Sequence, residues 1–302
     1  MKPFLSCAML LLASLGSSSL YGQGPPLGKE ETSRNKIKEV RKYSNSICDP
    51  NAKNSDPSSN PRTWSSEVFR YDARGNLTHW SKASTWTQIQ GYFAEYKYDD
   101  RDNVVEKTED YVKTRYEHNY TLNDKGKIVE DNYPGGKHTI KYDATGSVLE
   151  SSYLYEGRVT EKTTVAYDEK GYVEETLAYD SGGHISSRTV NVFDKAGHDI
   201  KREKYDSKGA LSSRIIFPYD AAGHETAEEK YGADGHLSLK TVYSYDPAGH
   251  RIKEEHYDPN GKSLADWRTF KFDANGLVIE TDDFNSKGEC NWLTKITYEF
   301  YP

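Results

Sequence analysis

The chain has 302 residues, a formal net charge of -7, and a hydrophobic fraction of 35% that already counts 24 tyrosines. With a mean hydropathy of -0.89 it cannot fill a thick core, yet its 13% aromatic content excludes an ordinary disordered chain. The acidic balance and the lack of a basic stripe argue against a nucleic-acid partner; a thin structure whose elements lean on their neighbours is what remains.

Residues 1–22 read as a signal peptide. Lys2 gives a positive start, the apolar run around Met9 to Ala13 is too short to span a bilayer, and small residues from Gly16 to Ser19 lead to cleavage near Gly22. Cys7 precedes the apolar run instead of ending it, which disfavours a lipid anchor there. Residues 23–35 are expected to be a disordered lead-in. Lys36 to Tyr43 reads as a first strand, and 44–61, with Pro57 and Pro61, as a polar loop. No later stretch reaches the ~20 apolar residues of a membrane helix. The mature chain is therefore expected to be secreted, or held in the periplasm or at the cell surface, without a membrane span. Removal of the leader leaves Cys48 and Cys290, which can bridge in an oxidising compartment. Bridging needs Cα atoms within about 7 Å, so the two ends of any sheet must then meet.

From Tyr71 onward the chain repeats. Aromatic-Asp dyads precede a glycine at Asp72 and Gly75, Asp143 and Gly146, Asp168 and Gly171, and Asp194 and Gly197. The pattern continues at Asp220 and Gly223, Asp246 and Gly249, and Asp273 and Gly276. The regular copies recur about every 26 residues. A second series, at Gly183, Gly209, Gly235, Gly261 and Gly288, falls between them. In Asp-x-x-Gly the carboxylate can accept from the amides of the turn it opens, and glycine supplies a left-handed residue; together these make a three-residue hairpin loop with a bulge. The intervals leave strands of about eight or nine residues. Alternation agrees. Ile185, Ser187, Thr189 and Asn191 share one face with the equivalents of Leu211, Ser213 and Ile215, while Arg188, Arg214 and Lys240 lie opposite. The expected fold is all-β: a repeat array of antiparallel β-hairpins over 36–302, an extended curling meander sheet with about 26 residues per two-strand repeat.

These residues resemble the RHS or YD (tyrosine–aspartate) repeat family, from about Tyr71 to Gly288 and regularly from Tyr142. The resemblance implies hairpins joined edge to edge, in an extracellular or cell-surface setting of a bacterium. Large members wind the sheet into a shell around a toxic C-terminal segment; this chain reads as a short member without such a domain.

Site candidates are few. The tryptophans Trp64, Trp80, Trp86, Trp267 and Trp292 lie near the ends of the array. They read as caps over apolar surface, with a sugar-binding platform as the rival. His198, His224 and His250 each follow a turn glycine. Copies two strands apart stand ~9.6 Å from one another, too far to share zinc comfortably, so a polar residue past a turn is the simpler reading. Asp99 to Asn103 reads as a degenerate turn in preference to a calcium loop, since it lacks the glycine and the distal glutamate. No catalytic motif stands out and no cofactor is implied. The leading expectation is a non-catalytic scaffold that binds a glycan or protein partner. Alternatives are a structural wall or adhesin component that assembles through edge strands, and a glycan-active enzyme.

Overall fold

The computed structural model describes residues 27–45, 65–83, 90–111, 114–169 and 171–302. The leader read over 1–22, most of the loop read over 44–61, and Cys48, Trp64 and Trp86 lie outside the described residues.

A six-residue helix, α1 (Lys29–Arg34), is followed by strands alone. The first five are β1 (Ile37–Asn45), β2 (Ser65–Tyr71), β3 (Leu77–Ala83), β4 (Gln90–Tyr98) and β5 (Val104–Tyr111). Next come β6 (Thr114–Leu122), β7 (Ile128–Tyr133), β8 (Gly136–Tyr142), β9 (Val148–Tyr155) and β10 (Arg158–Tyr167). The regular half opens with β11 (Val173–Tyr179), β12 (Ile185–Phe193), β13 (Asp199–Asp206), β14 (Leu211–Ile216) and β15 (Ala227–Gly232). It ends with β16 (Leu237–Tyr245), β17 (Arg251–Tyr257), β18 (Leu264–Phe272), β19 (Val278–Asn285) and β20 (Cys290–Phe300). Two expectations are corrected. Part of the presumed lead-in is the helix, where Thr32 is fully buried and its hydroxyl donates to the Gly28 carbonyl at 2.7 Å. Ser44, taken as the start of the loop, belongs to β1.

Each strand pairs antiparallel with the next, and β20 returns to β1 with Val40 opposite Tyr298 and Asn45 opposite Leu293. The meander is a closed 20-stranded barrel. Closure corrects the idea of assembly through edge strands: among the described residues every strand has partners on both sides, so the free row of amides and carbonyls that templates pairing is absent. Because the strands alternate in direction, the two glycine series occupy opposite rims.

The turns form as their chemistry dictates. Asp72 Oδ1 accepts from the backbone N–H of Arg74 and of Asn76, both at 2.9 Å. The Gly75 N–H donates to the Asp72 carbonyl at 3.0 Å and the Asp72 N–H to the Asn76 carbonyl at 2.9 Å. Asp194, Asp220, Asp246 and Asp273 repeat this arrangement. Asp99 to Asn103 is the same turn, with Asp102 taking the left-handed conformation at φ 64°.

The tyrosine of the dyad has a separate task. In several dyads, and likewise at Tyr298, the hydroxyl reaches back one hairpin and donates to a carbonyl at or just before the opening of a strand. The pairs are Tyr98 to Leu77 at 2.6 Å, Tyr142 to Ile128 at 2.9 Å, Tyr219 to Asp199 at 3.2 Å, Tyr245 to Glu225 at 2.7 Å and Tyr298 to Val278 at 2.7 Å. Each acceptor stands at the same offset after the preceding Asp or Asn on that rim, which ties neighbouring hairpins together independently of the ladder.

The one buried hydrophobic cluster among the described residues lies at the seam. Ile37, Val40, Phe69, Tyr71, Trp80, Leu277 and Ile296 form one buried cluster, with Phe69 stacked on Trp80 at 5.8 Å and Tyr92 edge-on to Trp80 at 4.7 Å. Full burial of side chains such as Phe69 or Val40 stabilises by about 1.5–3 kcal/mol each, concentrated where the first and last strands meet. α1 abuts this end. A Cβ on Gly75 would lie 2.6 Å from the Lys29 carbonyl, so glycine is needed there for space as well as for its φ of 83°.

Alternate residues define two walls. Lys42 is held below its usual range by burial, opposed by Glu67 and reinforced by the cations Lys82 and Arg268. The ladder registers put Lys42 on one face with the buried Val40, Phe69 and Trp80 and, through β20 and β19, with Arg268 on β18; this is the inner face of the barrel. That face carries Ser187, Thr189, Asn191, Ile215, Leu239, Thr241 and Tyr243, as the alternation predicts. The outer face carries cross-strand ion pairs: Arg188 with Glu175, Arg214 with Glu203 at 2.7 Å, Lys240 with Glu229 at 2.8 Å, and Glu150 between Lys141 at 2.8 Å and Lys162 at 2.6 Å. A lipid-facing barrel wall is an apolar band; this wall is charged and suits water. No helix of the described residues is long and apolar enough to cross a membrane.

Candidate functional site

Barrels of this strand number enclose more room than their side chains fill. Inward-facing Leu239 and Trp292 remain 39% and 38% exposed. The inner wall is thus the concave surface that the fold offers.

Three groups of side chains stand on it. The first spans β11 to β17. The Arg202 guanidinium bridges Asp199, at 2.7 Å, and Asn191, at 2.9 Å, while Asn191 donates to Glu174 at 3.0 Å. Beside them Arg251 lies over the Tyr243 ring at 3.8 Å and pairs with Glu254 at 3.0 Å. Burial raises the carboxyl pKa of both Asp199 and Glu225; Arg202 opposes the first shift and Arg251 the second. Glu228, Asp199 and Glu254 push Glu225 further up. The second group joins Arg268 to Asp283, with its second contact at 3.0 Å, and His256 to Asp266. The third runs across β4 to β9 and is aromatic: Tyr96, His118, Tyr133, His138, Tyr153 and Tyr155, with Lys107 over the Tyr96 ring at 5.7 Å.

The rim histidines have a packing role. His198 Nδ1 is 2.9 Å from Asp194 and its ring stacks on Tyr219 at 4.5 Å. His224 repeats this with Asp220 and Tyr245, and His250 with Asp246 and Phe272, both stacks at 4.7 Å. Each imidazole is committed to the next hairpin. Among the described residues no three His, Cys, Asp or Glu side chains are arranged to hold a metal ion.

The three described tryptophans are not brought together. Trp80 is in the seam core. Trp267 is on the outer face, stacked on Phe284 at 5.2 Å with Lys253 over it at 5.6 Å. Trp292 faces inward across from Asp283. Cys290 is disulfide-bonded, and Cys48 is outside the described residues. Sequence reasoning missed the aromatic group on β4 to β9. Its signal is Tyr116, His118 and Tyr120 at alternate positions, in the half of the chain where the turn glycines are least regular.

No family model matches the chain, and no curated protein matches it. Among solved structures it is similar to a porin-like protein from Bacteroides uniformis, with a TM-score of 0.38, 12% identity, and coverage of 87% of this chain and 98% of that one. A porin-like protein from Bacteroides vulgatus gives a TM-score of 0.26 and 11% identity, covering 65% of this chain and 98% of its own. The TcdB2-TccC3-Cdc42 structure gives a TM-score of 0.26 and 13% identity over 78% of this chain and 16% of that one.

Proposed function

We propose that this chain is an exported, non-catalytic scaffold of the tyrosine–aspartate repeat type whose barrel takes a glycan or protein partner against its inner wall. The observation that carries this reading is closure at the β1–β20 seam around a wall whose side chains keep contact with solvent. A closed ring removes the edges through which a structural polymer would grow and leaves a concave, partly aromatic surface of the kind ligands occupy. The repeat assignment is supported by the aspartate-capped turns and by the tyrosine hydroxyls that tie several hairpins to the one before.

A photo-crosslinking side chain in place of inward-facing Leu239, compared with one in place of outward-facing Lys240, tests the location. Adducts from an envelope extract are expected at position 239 and not at 240. Adducts at 240 alone, or at neither position, would sink the enclosed-partner reading. Oligosaccharides incubated with the protein are expected to keep their chain length; shortening would make the protein an enzyme.

A further inference from the structure

The inner face of β4 to β9 holds the most developed recognition surface among the described residues, and we infer that it binds a neutral hexose chain. This deepens the enclosed-partner reading and rests on it.

The ladder registers build two parallel rows. In one, Tyr96 is opposite Lys107 and Lys107 is opposite His118, then Tyr133 is opposite Gly136 and Gly136 is opposite Tyr155. In the other, Tyr120 is opposite Asp131, Asp131 opposite His138, and His138 opposite Tyr153. Glycine at 136 is what lets the first row be flat. The Tyr133 ring occupies the space that a Cβ on Gly136 would need, and the Tyr155 ring passes 3.3 Å from the corresponding point on Gly135. The Tyr133 phenol is set by the tight β7–β8 hairpin instead of by the ligand, so little of its side-chain freedom remains to be lost on binding.

The charges in the patch are mutually satisfied. His118 Nδ1 is 3.0 Å from both oxygens of Asp131, and Lys107 is paired with Glu109. Among the described residues of the patch, one buried side-chain polar atom is left over. His138 is only 4% exposed, its ring lies face to face with Tyr153 at 4.0 Å and 6°, and its Nε2 has no partner. Burial holds this imidazole in its neutral form by lowering its pKa. A neutral imidazole nitrogen donates or accepts according to its tautomer, and a hydroxyl can answer either way. Two positions along β9 from Tyr153, Tyr155 is 51% exposed. The complement of flat, uncharged aromatic faces next to an orphan nitrogen is a ring with an apolar C–H face and a rim of hydroxyls, which describes a pyranose. A charged peptide would have to break the internal ion pairs to find partners here.

Titration calorimetry of the full chain with maltohexaose, cellohexaose and laminarihexaose tests the inference, using wild type, Tyr155→Ala and His138→Phe. At least one of these oligosaccharides is expected to bind. Tyr155→Ala removes an exposed ring and is expected to weaken that binding about tenfold or more. His138→Phe keeps the stack on Tyr153 and deletes the nitrogen, with a loss of similar size expected. Failure of all three sugars to bind, or binding that both variants leave unchanged, overturns the proposal. If His138→Phe does not fold, Tyr155→Ala alone decides. Crosslinking at position 239 without binding of these sugars would remove the hexose assignment and leave the enclosed-partner reading standing.

Discussion

At the scale of single residues, tyrosine is chosen in this repeat for its hydroxyl as much as for its ring. Tyr98→Phe keeps the stacking surface and deletes the bond to the Leu77 carbonyl, so a loss of about 0.5–1.5 kcal/mol is expected in urea unfolding. Two repeats carry phenylalanine instead, and the same rule gives the opposite sign there. Phe272→Tyr would place a hydroxyl toward the carbonyl of Arg251, the residue equivalent to Glu225 one repeat earlier, and is expected to raise the unfolding midpoint. The turn glycines separate two further effects. Gly197 has a φ of 89° and open space, with no neighbouring atom within 4 Å, where a Cβ would stand. Gly197→Ala is therefore expected to cost only the left-handed strain, roughly 1–2 kcal/mol. Gly276→Ala adds a clash with the His250 imidazole at 2.9 Å and is expected to cost more. Thermal unfolding of the two variants side by side checks the order. The dyads, the glycines and the capping role of aspartate were legible in the sequence because each is a local requirement of one turn. The reach of the tyrosine was not, since its acceptor lies on a different hairpin.

At the scale of elements, acid should loosen the turns before the strands. Asp143 is held low chiefly by the Thr145 hydroxyl, Asp194 and Asp220 by the backbone N–H of His198 and His224, and Asp246 by the His250 imidazole. A carboxyl whose folded pKa is depressed contributes stability that is present above its unfolded pKa of about 3.9 and is lost as pH falls through the folded value. Asp199 and Glu225 have raised values and act with the other sign: their burial penalty is present at neutral pH and is relieved on acidification. Stability measured from pH 7 downward is therefore expected to drop below about pH 4. Glu225→Gln is expected to stabilise at pH 7, with the gain vanishing toward acid; a gain that persisted unchanged at low pH would contradict the assignment. Strand existence and alternation were readable from the period-two pattern. Helix α1 was not, because six residues give no helical periodicity; its order comes from Thr32 burial and from contact with the β2–β3 turn.

At the scale of the whole molecule, closure is what the sequence left open. Turn chemistry fixes where the chain reverses but leaves open how far the sheet curls, and the meeting of β1 with β20 depends on residues more than two hundred positions apart, such as Val40 and Tyr298. The inner aromatic rows were hidden for the same reason, since strand registers create them. Cys290 is disulfide-bonded. Removal of the leader leaves Cys48 as the other cysteine of the chain, so it is the expected partner. Peptide mapping without reductant is expected to recover the two cysteines in one fragment, and Cys290→Ser is expected to cost about 2–5 kcal/mol. Recovery of Cys48 as a free thiol would contradict this.

A ring made only of antiparallel neighbours can shut only when the number of staves is even. Duplication or loss of one whole unit changes the count by two, so the join can still be sealed and only the girth is altered. A single inserted stave would set two neighbours running the same way and spoil the join. Gene duplication in such a lineage would therefore widen or narrow the bore in discrete increments, giving evolution a simple dial for guest size.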